Sequence, residues 1–96
     1  MNYGFLPDAE ADFNEAVEYY EECQTGLGTD FALEVHHAIS RILEHPAGWT
    51  KVSPSCRRCL TNRFPFGVIY TVEQDSILIL TIMNLHRHPA YWKNRI

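Results

Sequence analysis

The apolar positions of this chain follow two different periods. Phe13, Ala16, Val17 and Tyr20 recur at helical spacing, while Glu10, Asp12, Glu15, Glu18, Glu21 and Glu22 spread over the remaining surface, the pattern of an amphipathic helix with one face turned to a core. Pro7-Asp8 supplies a start signal, so the spacing predicts a first helix over Asp8–Cys23. Gly26 and Gly28 interrupt it. Thr29 or Asp30 can cap a second helix, whose apolar stripe of Phe31, Val35, Ala38, Ile39, Ile42 and Leu43 stops before Pro46. The two helices are expected to form a hairpin.

Beyond the loop from Pro46 to Ser55 the period falls to two. Gly67–Val72 reads as a strand with Val68, Tyr70 and Val72 on one face, and Arg57–Leu60 and Asn2–Leu6 are shorter candidates. Glu73-Gln74-Asp75-Ser76 is a turn. The strand that follows, Ile77–Leu85, is apolar on both faces, with Ile77, Ile79, Thr81 and Met83 on one and Leu78, Leu80 and Ile82 on the other. Such a strand belongs in the middle of a sheet, with cover on both sides. Helices and strands in separate runs define an α+β class: an N-terminal helical hairpin packed on a small antiparallel sheet of three to four strands.

Composition narrows the class further. A chain of 96 residues, 46% of them hydrophobic, with five Phe, five Tyr and two Trp, is expected to fold as a single domain over residues 1–96 rather than stay disordered. Met1–Leu6 is too short and lacks the positive flank of a signal peptide, and no apolar stretch reaches membrane-spanning length, so no membrane partner is expected. Three cysteines, an odd number, suit a reducing compartment better than a disulfide framework, and a cytoplasmic location follows.

Charge is segregated along the chain. Residues 1–50 hold ten acids against the single strong base Arg41, a net of −9, whereas residues 51–96 hold seven bases against Glu73 and Asp75, a net of +5. An overall acidic protein does not coat nucleic acid indiscriminately, yet its basic half can present a local patch. The acids are read as a solvated helix face.

Candidate chemistry concentrates at the C-terminal end, where Asn84, His86, Arg87, His88, Tyr91, Trp92 and Arg95 bring amide, imidazole, guanidinium and aromatic groups together. Such groups bind phosphate, stack on bases or move protons. The functional expectation is that the guanidinium groups of the rear half, Arg57, Arg58 and Arg63 included, gather into one accessible cationic surface beside Tyr91. The competing expectation is that Tyr91 and Trp92 fold back onto the body, and that Arg57, Arg58 and Arg63 pair with carboxylates of the first helix. Cys56-Arg57-Arg58-Cys59 has the spacing of a metal pair, but a strand entrance sends side chains at this separation to opposite faces, so no metal site is expected. His36-His37, adjacent on a helix, point in different directions.

Phe5-Leu6-Pro7, Tyr19-Tyr20, Gly26-Leu27-Gly28, Phe31, His45-Pro46, Arg57-Arg58-Cys59-Leu60, Arg63-Phe64-Pro65-Phe66, Ile69-Tyr70 and Arg87-His88-Pro89-Ala90-Tyr91-Trp92, in that order, resemble the RelE/ParE superfamily of toxins from bacterial type II toxin–antitoxin pairs, a group that includes plasmid stabilisation proteins. The resemblance implies a cognate antitoxin that wraps the toxin, no cofactor, and either messenger RNA on the ribosome or DNA gyrase as target. In the nuclease branch it makes Arg87 and Tyr91 catalytic in a metal-independent endoribonuclease, where His86 or His88 can serve as a base near neutral pH and Arg57 or Arg58 can assist. For a toxin that acts by binding, Arg57, Arg58, Arg63, Asn84, His88, Trp92 and Arg95 are the candidate target-binding residues. The nuclease branch carries an arginine three positions before the residue matched by Tyr70, where this chain has Gly67, and a histidine where this chain has Asn84. These departures favour a toxin that acts by binding; an inactive partner-binding relative is the third reading, and a homodimer through the sheet edge competes with the antitoxin for that surface.

Overall fold

The computed structural model describes residues 1–87 and 92–95. A strand, Asn2–Phe5 (β1), opens the chain and is followed by two helices, Pro7–Cys23 (α1) and Leu27–Glu44 (α2). Four strands come next: Thr50–Lys51 (β2), Cys56–Leu60 (β3), Phe66–Glu73 (β4) and Ser76–Asn84 (β5). A single 3-10 turn covers Lys93–Arg95. The sheet has five strands in the order β1-β5-β4-β3-β2, with β1 parallel to β5 and the other pairs antiparallel. Two expectations are corrected. The helices do not come first, and the sheet is larger than three to four strands. The addition is the two-residue edge strand β2, which borrows its regularity from β3 and leaves little periodic signal of its own, while β1 occupies the short opening candidate at Asn2–Leu6.

Both helices cover the same face of the sheet. Phe31, Phe64, Phe66 and Tyr20 form its aromatic centre, with Phe31 and Phe66 ring centroids 4.8 Å apart in an edge-on arrangement. Val35, Ile39, Ile42, Val68, Tyr70, Ile77, Ile79 and Ile82 complete this larger core. The opposite face carries a smaller cluster of Cys56, Ile69, Leu80, Met83 and Trp92. β5 is therefore an interior strand, between β1 and β4, and apolar on both sides. Its faces do not alternate strictly, however: Ile82 joins Ile77 and Ile79 on the helix side, and Met83 joins Leu80 on the other. The register shifts between Ile69 and Tyr70, which pair with Thr81 and Ile79 and leave Leu80 without a direct partner. One extra residue in a strand moves every later side chain to the other face.

α2 begins at Leu27 with Gly26 as its cap, three or four residues before the cap expected at Thr29 or Asp30. The reason lies in α1. The Glu21 carboxylate accepts hydrogen bonds from the Gly26 N–H at 2.9 Å and the Gly28 N–H at 3.1 Å, so the exposed donors of the second helix are satisfied by the first. Gly28 also lets the helices approach. A β-carbon there would lie 2.6 Å from the Val17 carbonyl oxygen.

Candidate functional site

Two clefts flank the sheet at opposite ends of β4. The first, of about 210 Å³, lies between α1 and the end of β5 and is lined by Asp12, Glu15, Tyr19, Tyr20, Asn84 and Arg87, among others. Asn84 builds the turn that delivers Arg87: its side-chain oxygen accepts the His86 N–H at 2.9 Å and its backbone carbonyl accepts the Arg87 N–H at 3.0 Å. The Leu85 N–H, which donates to the Pro65 carbonyl at 2.8 Å, ties the same turn to the start of β4. His86 is exposed at its surface. Burial raises the Tyr20 phenol above its ordinary value, so it stays neutral in this wall.

Carboxylates of α1 form the other wall. Asp12 accepts hydrogen bonds from Arg95 Nη1 at 2.6 Å and from the Thr81 hydroxyl at 2.8 Å, and Arg95 Nη1 also donates to the Leu80 carbonyl at 2.9 Å. Asp8 stands 3.8 Å from Arg95 Nε. Only 13% of the Arg95 side chain is exposed. Arg95 is thus an internal strut that pairs with helix-one carboxylates, a role expected of Arg57, Arg58 or Arg63. Trp92, placed among the target ligands by the sequence, is 2% exposed and packs in the small back-face core. Its burial matches the fold-back expectation and leaves no ring face for a base or a partner.

The remaining arginines point elsewhere. Arg63 pairs with Asp30 of α2 at 3.3 Å and lies over the Phe64 ring at 5.2 Å. Glu34 holds the same loop by accepting the N–H groups of Asn62 at 2.7 Å and Arg63 at 3.1 Å, and the Arg63 N–H foremost draws its carboxyl below the ordinary range. Arg58 lies across Gly67 on the face away from the helices, where a β-carbon on Gly67 would meet its Cγ at 3.0 Å. Arg87 and Arg58 are therefore on opposite sides of the sheet. The described guanidinium groups do not gather into one surface. His88 and Tyr91, the two remaining candidates, lie outside the described residues.

The second cleft, of about 420 Å³, opens between the loop after α2 and the β2–β3 corner and includes Pro46, Lys51, Pro54, Ser55, Arg57 and Val72 in its lining. Arg57 Nη1 donates to the Trp49 carbonyl at 2.7 Å. The Tyr70 hydroxyl donates to the Pro46 carbonyl and is pushed up to about 12 by burial, against the opposing pull of Arg57. Lys51 was not among the candidates, because a two-residue strand inside a loop gives no pattern that would single it out. Asp12, Glu15 and Tyr19 were missed for another reason: the acids look like a solvated helix face until the chain's end is seen to return to them.

Cys56 and Cys59 belong to different cores on opposite faces of the sheet, and burial raises the Cys59 thiol. Among the described residues no group of three or more His, Cys, Asp or Glu side chains is placed to hold a metal ion, and no helix is long and apolar enough to cross a membrane.

Comparison with known proteins places this architecture. A solved structure from the chromosomal ParDE toxin–antitoxin system of P. aeruginosa shares the fold with a TM-score of 0.63 at 24% sequence identity, over 90% of this chain and 97% of that one. No curated protein matches the sequence significantly. The family model described as the ParE toxin of the type II toxin–antitoxin system parDE matches residues 3–89, most of the length of the chain. With the two-helix layer, the sheet and the match over nearly every element in agreement, this chain belongs to the ParE toxin family of type II toxin–antitoxin systems.

Proposed function

We propose that this toxin acts by binding and inhibiting a target such as DNA gyrase, rather than by cutting messenger RNA, and that its cognate antitoxin neutralises it by covering the toxin surface. The observation that carries this reading is the separation of Arg87 from Arg58. Cleavage of RNA through a 2′-hydroxyl needs cations clustered around one phosphorus to offset the charge that develops there. Here Arg87 lines a cleft shared with Glu15 and Asp12, Arg58 lies on the far face over Gly67, and Arg95 and Arg63 are paired with Asp12 and Asp30. Carboxylates beside the only described arginine of the first cleft repel a phosphodiester.

The test sets two purified assays side by side. Inhibition of gyrase supercoiling with no cleavage of ribosome-bound messenger RNA is the expected result. Cleavage that disappears in Arg87→Ala would replace this reading with the nuclease one, and inactivity in both assays would leave a partner-binding relative.

A further inference from the structure

The second cleft has a charge arrangement that the folded chain leaves uncompensated. Lys51 and Arg57 are direct cross-strand partners in the β2–β3 pair. The Val52 N–H bonds to the Cys56 carbonyl at 2.9 Å, so alternation along the antiparallel ladder makes Lys51 and Arg57 a non-hydrogen-bonded pair, the kind whose side chains approach most closely. Like charges directly opposite one another destabilise a sheet. Among the described residues neither has a carboxylate partner: Arg57 bonds to a backbone carbonyl, Lys51 has no bonded partner, and no acidic residue lines the cleft. This pair stands out in a protein of net charge −4.

The same alternation turns the N–H and C=O of Lys51 away from β3. β2 is the outermost strand of the sheet, so these groups face its free edge. Pro46, Pro54 and the 44%-exposed Val72 give the cleft apolar walls. A free edge, apolar walls and two facing cations fit an extended peptide with an acidic side chain, because the edge recognises backbone and the cations recognise carboxylate. A compact free anion would use only the last of these.

We infer that this cleft seats an extended acidic segment of a protein partner, whose backbone pairs with Lys51 at the edge of β2 and whose carboxylate lies between the Lys51 ammonium and the Arg57 guanidinium. The inference deepens the proposed function, since it rests on the reading of this chain as a toxin covered by an antitoxin and names the chemistry of one contact.

A fluorescent peptide alternating Glu and Val is the probe, titrated into the full chain and followed by anisotropy. Binding that weakens by about tenfold or more in Lys51→Glu, as expected when one partner of a close charge pair is reversed, supports the inference; so do slowed amide exchange at Lys51 and loss of binding with salt. Arg57→Gln should show the same direction, but Lys51 carries the test because Arg57 also holds the Trp49 carbonyl. Equal binding by wild type and Lys51→Glu overturns the inference. It is also overturned if inorganic phosphate displaces the peptide at the peptide's own concentration, if a Lys–Val peptide binds as well, or if the edge is occupied by a second copy of the chain. Growth arrest on expression tests the toxin reading separately: a Lys51→Glu chain that still arrests growth yet fails to bind the peptide separates the two.

Discussion

Two cation sites, one held by the α1 carboxylate Asp12 that lines the first cleft and one in the second cleft, are treated differently by the fold. Beside α1, Arg95 is 2.6 Å from Asp12, within reach of Asp8 and bonded to the Leu80 carbonyl, and it fastens the chain's end to the body. Beside β2, Lys51 and Arg57 face each other with no acid in the lining. The first arrangement turns a charge pair into structure. The second leaves two like charges without a carboxylate partner among the described residues. Counting arginines in the sequence therefore overstates the free positive surface at one end and passes over Lys51 at the other.

Four substitutions probe this contrast. The largest effect is expected from Trp92→Ala, which empties the centre of the back-face core and unseats the turn that carries Arg95. A loss of about 3–5 kcal/mol is a large part of the total for a domain of this size, and denaturant titration reads it directly. Asp12→Ala tests the strut itself. Removing one member of a mostly buried pair should cost about 2 kcal/mol, below the fully buried case because both side chains keep some exposure, with a fall in Tm of roughly 8–16 °C. Native-like melting of Asp12→Ala would break the distinction between the two clefts.

Glu34→Gln gives a smaller, pH-dependent effect. Its carboxyl is drawn down chiefly by the Arg63 N–H, so its contribution is complete above the ordinary carboxylate value of 4.5 and is lost as pH falls through the lower folded value. At neutral pH the variant should be less stable by under about 1 kcal/mol, given the solvent around this site. The gap should close in acid, as measured by melting curves across pH. Lys51→Ala is expected to do least: a gain of a few tenths of a kcal/mol from relieved repulsion. A clear loss of stability would reveal an internal partner and remove the contrast.

Long periodic elements were readable in the sequence because their signal repeats. The stripe from Phe13 to Tyr20 and the two-faced strand from Ile77 onward specified α1 and the interior strand β5, and α1 differs from its expected start by only one residue. What escaped reading depends on distant partners. α2 starts early because Glu21 caps it from another helix. The later side chains of β5 change faces because of a register shift against β4, which one strand's pattern cannot announce. Arg95 and Trp92 looked like a surface because the acids and apolar groups that receive them lie about 80 residues earlier or on the back of the sheet. Asn84 and Arg87 do share a cleft, since their separation along the chain is short enough for one turn to join them.

The parallel pairing of β1 with β5 has a consequence for synthesis. Asn2 meets Ser76 and Phe5 meets Ile79, so the first strand made has no seat until the last long strand has left the ribosome. The helical pair and the β3–β4–β5 meander can organise from nearer contacts, whereas this docking closes a loop spanning most of the polypeptide. A nascent chain thus stays without this finished edge until β5 itself has been made.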